Sequence, residues 1–204
     1  MIPFSGDNPL IDPKSDLLDS APFSRLVAES ISKMRPKEGI VIAINGPWGS
    51  GKSTVLNFIL YYLEHDFADQ PVIPVHFNPW WFSGREDLTR LLIGQIRARL
   101  GDNDYGELKS KLADFSELVS KIPGVPGRET GEFIADKLRG QTDLVSLKNK
   151  IDELLRSSDK CILVVVDDID RLAPVEISDL FRTIKATGNF PNVIYLLAFD
   201  IDVD

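Results

Sequence analysis

A glycine-rich segment between an apolar strand and an apolar helix constrains this chain more than any other feature. Residues 46–53 read GPWGSGKS and match the pattern G-x-x-x-x-G-K-[ST] at each fixed position. The β-branched run 40–44 leads directly into this segment, and the apolar segment 53–65 follows it. Glycines let successive backbone N–H groups point inward around an anion, and the N-terminus of the following helix adds partial positive charge. The sequence therefore predicts a strand–loop–helix unit that binds phosphate groups.

The residues of this loop have separate expected roles. We expect Lys52 to bring its ammonium group to the β- and γ-phosphates of a nucleotide and to act in catalysis. We expect the Ser53 hydroxyl to coordinate Mg²⁺. Trp48 lies inside the loop and is a candidate to cover the nucleotide. The residues predicted to bind the nucleotide are Gly46, Pro47, Trp48, Gly49, Ser50, Gly51, Lys52, Ser53 and Thr54.

A second apolar strand ends in a cluster of acids. Residues 161–167 form the strand, and Asp167 at its carboxyl end is the expected Mg²⁺ ligand. Asp168 is the candidate that orients or deprotonates an attacking water. The alternative is that Asp168 and Asp170 only cap the turn that follows. Arg171 either pairs with these acids or reaches a phosphate on a neighbouring subunit.

The rest of the chain alternates strands with helices, which indicates an α/β fold with a parallel sheet covered by helices on both faces. The predicted strands are 40–44, 72–77, 161–167 and 193–199. The predicted helices are 53–65, 86–100, 107–119, 132–138, 144–156 and 175–187. We interpret residues 1–204 as a single domain with a helical insertion at about 101–140, which contains a loop or hinge at 123–127.

Composition limits the classes of binding partner and the cellular compartment that we expect for this chain. The net charge is -8 and the pI about 4.8, which disfavours general binding to a nucleic-acid backbone. No run approaches 18 apolar residues, so no membrane span is expected. The single cysteine, Cys161, cannot form an intrachain disulfide, and with only two histidines a structural zinc site lacks ligands. A cytoplasmic location is the expectation from these features.

Together these segments resemble the P-loop NTPases of the KAP type, a STAND-like group with the additional-strand (ASCE) fold. The resemblance implies ATP rather than GTP, Mg²⁺ as cofactor and catalytic assistance from Asp168. Some bacterial members act in phage exclusion, and many members carry membrane helices, which this chain lacks. The matching segments are DNPL at 7–10, DLL at 16–18, the loop 46–54, HFNPWW at 76–81, DDIDRL at 167–172 and LLAFD at 196–200.

The resemblance implies a sheet order of 5-1-4-3-2, with strand 5 absent from this chain. Strand two should then be an edge, which agrees with Pro74 inside it. Strand one would expose an apolar edge, since the chain stops at Asp204 soon after strand four. We therefore expect that the chain is truncated at its C-terminus, or that a homo-oligomer partner or another polypeptide covers strand one.

The roles of several polar and aromatic residues near the strand ends remain open. Asp200, at the end of strand four, is either a γ-phosphate sensor by position or a surface acid. Trp80 and Trp81 are expected to pack in the core beneath the sheet edge, with a role near the γ-phosphate or at a partner surface as the alternative. His76 is expected to be a core histidine.

The leading functional hypothesis is an ATPase that acts as a switch or motor within a larger protein, with phage defence suggested by analogy. The alternative is a nucleotide-gated oligomerisation module with little turnover. A small-molecule kinase shares the phosphate loop, but it needs an acceptor pocket and a lid, and the pattern DDIDR at 167–171 argues against it.

Overall fold

The computed structural model describes residues 8–70, 72–82, 84, 88–120 and 131–200. Within them lies one parallel sheet of four strands, in the order β1-β4-β3-β2. The order agrees with the one implied by the resemblance, and β2, which contains Pro74, lies at an edge. The strands are β1 (Ile40–Asn45), β2 (Val72–Phe77), β3 (Cys161–Val166) and β4 (Val193–Phe199).

The helices connect and cover these strands. They are α1 (Ala21–Lys33), α2 (Lys52–His65), α3 (Leu88–Arg99), α4 (Asp102–Ser120), α5 (Gly131–Ser157) and α6 (Pro174–Thr187). Short 3₁₀ turns lie at Pro13–Ser15, Pro79–Phe82 and Ile169–Arg171. The predicted helices 132–138 and 144–156 are one continuous helix, α5. No proline interrupts the segment between them, and a single helical glycine, Gly140, costs only about 1 kcal/mol. The loop predicted at 123–127 lies outside the described residues.

Side chains of the two central strands alternate between two hydrophobic layers. Val164 and Tyr195 lie with α3, α4, α5 and α6 in one layer, whereas Leu163 and Leu196 lie with α1 and α2 in the other. Every residue of β3 is buried, which explains why its sequence is apolar throughout.

The outer strand β1 was expected to be buried on both faces, but only one of its faces is covered. Ile42 and Ile44 pack against the layer of α1 and α2, but Val41 and Ala43 on the other face are exposed. Val41 is 50% exposed. The helices of the opposite layer cover the centre of the sheet rather than this edge. In the described part of the chain, β1 pairs with β4 alone.

Among the described residues, no helix is both long enough and apolar enough to cross a membrane.

Candidate functional site

The glycine-rich loop joins β1 to α2 at the carboxyl edge of the sheet. Gly49 and Gly51 have φ values of 80° and 87°, in the left-handed region that residues with a Cβ atom rarely adopt. A Cβ atom on either glycine would meet nothing within 4 Å, so the backbone conformation, not crowding, requires glycine there. At Gly46 a Cβ atom would lie 2.7 Å from the Ser50 Oγ, a clash that rotation of the serine side chain can relieve. The loop is also joined to β4, since the Gly46 N–H donates to the Phe199 carbonyl at 3.4 Å.

Lys52, the first residue of α2, folds back over the loop. Its Nζ donates to the carbonyl oxygens of Gly46 at 2.7 Å and Pro47 at 3.2 Å. A phosphate oxygen carries negative charge, so it attracts the Lys52 ammonium group by a Coulomb interaction that a neutral carbonyl oxygen lacks. A phosphate oxygen could therefore compete with these neutral carbonyls for the ammonium group.

The two acids after β3 reach the same region with different partners. Asp167 Oδ1 accepts a hydrogen bond from the Asp168 N–H at 2.9 Å. Asp168 has a φ of 58°, which turns its backbone sharply away from the strand. Asp168 Oδ2 accepts from Asn78 Nδ2 at 2.7 Å, and its Oδ1 pairs with Arg171 Nε at 2.7 Å. The Asp168 side chain makes no hydrogen bond that caps the turn. Its carboxylate is held instead by the side chains of Asn78 and Arg171.

One cavity of about 520 Å³ brings these groups together. Its lining includes Lys52, Ser53, Asp167 and Asp168, which sequence reasoning assigned to catalysis and magnesium binding. The predicted loop residues that also line it are Trp48, Gly49, Gly51 and Thr54. Cationic, hydroxyl and carboxylate groups thus meet where the strands β1 and β3 end, the edge at which α/β folds bind ligands.

Comparison with known families agrees with this geometry. The family model for the KAP family P-loop domain matches residues 20–203. The chain belongs to this family. The KAP domain is also similar to the phage T7 exclusion protein of Escherichia coli (strain K12), with 24% identity over 209 residues. That alignment covers 85% of this chain and 27% of the relative, so the chain spans only a minor part of the relative's length.

Asn78, whose role the sequence left open, contacts the site of the KAP domain. Its Nδ2 donates to Asp168, and its Oδ1 accepts from the Trp80 N–H at 3.1 Å. The pairing of Phe77 with Val166 puts the residues that follow β2 and β3 side by side. The strand order implied by the resemblance already places these two strands side by side, and it is the signal that could have identified Asn78.

The expected core positions of three residues around this edge of the KAP domain are wrong. Trp80 is 46% exposed and Trp81 73% exposed, and His76 is exposed as well. All three lie at the end of an edge strand, where fewer side chains are available to cover them. Partial desolvation of the ring, and then the charge of Arg99, lower the pKa of His76. The Trp80 ring instead lies 5.7 Å from the guanidinium of Arg171, a distance suited to a cation–π contact.

Asp200, after β4, contacts the phosphate loop of the KAP domain. Its Oδ2 accepts a hydrogen bond from the Trp48 N–H at 3.1 Å. This contact connects the end of β4 to the backbone of the loop. The Trp48 side chain itself is 75% exposed.

Proposed function

We propose that this KAP domain binds Mg²⁺·ATP at the loop 46–54 and hydrolyses it, as a switch or motor within a larger protein. The observation that carries the proposal is the meeting of Lys52, Ser53, Asp167 and Asp168 around one cavity. The Lys52 ammonium group suits the triphosphate, and the Ser53 hydroxyl and the Asp167 carboxylate suit a magnesium ion. The Asp168 carboxylate is left for the attacking water.

The residues present fit a magnesium ion. In the described part of the chain, neither Asp167 Oδ2 nor the Ser53 hydroxyl has a hydrogen-bond partner, so both oxygens can be ligands. Hard oxygen donors are those that magnesium prefers. When bound, the ion would supply positive charge at the β- and γ-phosphate oxygens.

Asp168 is the residue that we assign to the attacking water. Each carboxylate oxygen can accept two hydrogen bonds, so those from Asn78 and Arg171 leave capacity for a water molecule. The water oxygen forms a bond to the γ-phosphorus, and the bond from phosphorus to the β–γ bridging oxygen breaks. ADP leaves with that electron pair, and the water proton passes to Asp168. Lys52 stabilises the negative charge of the transferred phosphoryl group.

We also propose that residues 1–204 act as a single unit, with 101–140 as an insertion rather than a separate domain. Leu108, Leu112 and Phe115 of α4 lie in the same hydrophobic layer as Val164 of β3. An insertion that shares the core of the sheet cannot fold independently of it.

The alternative function is a nucleotide-gated oligomerisation module with little turnover, and two observations favour it. Among the described residues, the outer edge of β1 has no partner strand beside Val41, so the rest of a larger protein or a second copy could add a strand there. The ion pair between Arg171 and Asp168 restrains the proposed catalytic carboxylate. If this restraint keeps turnover low, Arg171→Ala will raise the rate of ATP hydrolysis. If Arg171 supports catalysis, the same change will lower it.

A role in phage exclusion is the biological proposal, and it rests on the name of the Escherichia coli relative. Cells that express the protein with wild-type sequence should reduce T7 plaque numbers, and cells that express Lys52→Ala should not. Equal plaque numbers for wild type and empty vector would remove this proposal without affecting the ATPase.

The ATPase proposal is tested by phosphate release from Mg²⁺·ATP. We expect Asp168→Asn to abolish turnover while ATP binding is kept, because the amide cannot accept the water's proton. Asp179→Asn, an exposed acid of α6, is the matched control and should behave as wild type. Turnover by Asp168→Asn at the wild-type rate would exclude Asp168 from catalysis. A wild-type protein that binds ATP without hydrolysing it would favour the alternative function, a nucleotide-gated oligomerisation module.

A further inference from the structure

Three exposed apolar side chains border the nucleotide cavity. Leu17 is 90% exposed, Leu18 75% and Trp48 75%, and all three line the cavity that contains Lys52. A single exposed apolar side chain on a protein surface requires no explanation. Three around one cavity that also contains Lys52 and the phosphate loop suit a ligand that has both an anionic part and a flat, apolar part.

The segment that carries Leu17 and Leu18 is held rigidly against the phosphate loop. Upstream, the Leu10 N–H donates to Thr54 Oγ1 at 3.1 Å, and the Leu10 carbonyl accepts from Asn57 Nδ2 at 3.0 Å. Both partners belong to α2, the helix that begins at the phosphate loop. The apolar wall is therefore attached to the same helix that carries Lys52 and Ser53.

Asp16 fixes the other end of this segment. Its Oδ1 accepts from the Leu18 N–H at 3.1 Å and its Oδ2 from the Ala21 N–H at 2.8 Å. These bonds connect the wall to the start of α1. The backbone of this segment is thus held in place before any ligand binds, which lowers the entropic cost of binding.

We propose that Trp48, Leu17 and Leu18 form the subsite for the nucleobase of ATP; this inference rests on the proposed function. Trp48 offers an aromatic face from the phosphate loop, and the two leucines offer an aliphatic wall from the N-terminal segment. Stacking on Trp48 and apolar packing against the leucines recognise the flat faces of the base and do not depend on its hydrogen-bonding edge.

The test compares ligands with and without a base. Affinities of the wild-type chain and its variants are measured by calorimetry for Mg²⁺·ATP, Mg²⁺·GTP and magnesium tripolyphosphate. Removing an aromatic partner of a stacked base weakens binding by roughly fivefold to a hundredfold. We expect Trp48→Ala to weaken ATP binding at least about tenfold and tripolyphosphate binding by less than about twofold. The Trp48 N–H that bonds to Asp200 is retained in this variant.

A second variant tests the opposite wall, and a third is the control. The double change Leu17→Ser with Leu18→Ser should also weaken ATP selectively. Leu26→Ala, which is 64% exposed on α1 and does not line the cavity, should change nothing. Unchanged ATP affinity in Trp48→Ala, equal losses for ATP and tripolyphosphate, or a wild type that binds both ligands equally would overturn the base subsite. A wild type that binds neither ligand would instead overturn the proposed function itself.

Discussion

Replacing Asn78 with alanine should lower the rate of ATP hydrolysis without weakening ATP binding. The change removes the 2.7 Å hydrogen bond from Asn78 Nδ2 to Asp168 Oδ2, which fixes the carboxylate assigned to the water. It also removes the bond from the Trp80 N–H to Asn78 Oδ1, so the turn after β2 loses one constraint. The two hydrogen bonds of the Asn78 side chain go to Asp168 and Trp80, and neither partner belongs to the phosphate loop.

The magnitude follows from the chemistry and exposure of this hydrogen bond. Hydrogen bonds to charged groups contribute about 1.5–3 kcal/mol. The Asp168 side chain is 25% exposed, so water can partly replace the lost amide, and the lower end of that range applies. About 1.4 kcal/mol in the transition state is a tenfold loss of rate. We therefore expect kcat to fall roughly tenfold while the affinity for ATP changes less than about twofold.

The assay is steady-state phosphate release together with an independent ATP titration. Asn149→Ala, an exposed asparagine on α5, is the matched control and should leave kcat unchanged. The melting temperature of each variant separates positioning from loss of folding. Wild-type kcat in Asn78→Ala would refute the reasoning, and so would a loss of ATP affinity as large as the loss of kcat.

Three further predictions concern the loop and the core. Gly51→Ala should destabilise the fold by about 1–2 kcal/mol and weaken ATP binding, because Gly51 has a φ of 87°. Gly94→Ala, at an exposed helical position with free space around it, should stabilise the fold by up to about 1 kcal/mol. Thermal melts measure both changes. Burial raises the pKa of the Cys161 thiol to about 11, so little thiolate forms at pH 8, and a disulfide reagent should react with Cys161 only after the chain is unfolded in urea. Rapid reaction in the folded state would contradict the burial. Leu163→Ala should lower the free energy of unfolding in urea by about 2–5 kcal/mol, because Leu163 is fully buried. Val41→Ala, on the exposed face of β1, should lower it by well under half as much. Equal losses would show that Val41 is covered.

The parts of the fold that could be predicted are those with a strong local signal. The loop 46–53 specifies its own conformation, because glycine is required at φ values near 80–90°. The strands β3 and β4 are apolar throughout, since both of their faces are buried.

The helix α1 was not predicted, although Val27, Ala28 and Ile31 mark an apolar face at helical spacing. Ser24, Ala28, Ile31 and Ser32 are all fully buried, and two of the four are serines. Ser24 donates to the Ser20 carbonyl and Ser32 to the Glu29 carbonyl, which satisfies both hydroxyls. These small, internally satisfied serines allow close packing against α2, and they weaken the apolar pattern of the buried face without removing it.

The side chains around the site depend on neighbours that are distant in sequence. Asp168 could be assigned from its own strand, but its contact with Asn78 joins residues that are 90 positions apart. Leu17 and Leu18 became candidates only when the structure placed them beside the loop. The same reason explains the wrong burial expected for Trp80 and Trp81, whose exposure depends on the lack of cover at the edge of β2.

The most direct test of the ATP site is calorimetry of Mg²⁺·ATP binding to the wild-type chain and to Lys52→Ala. Lys185→Ala, which lies in the last turn of α6 away from the cavity, is the matched control. The account predicts saturable binding by the wild type and the control, and binding that is lost or weakened at least about a hundredfold in Lys52→Ala, since an ion-paired phosphate contact contributes about 3 kcal/mol. Equal ATP affinity for Lys52→Ala and wild type, with both proteins folded, would contradict the assignment of this loop as the nucleotide site.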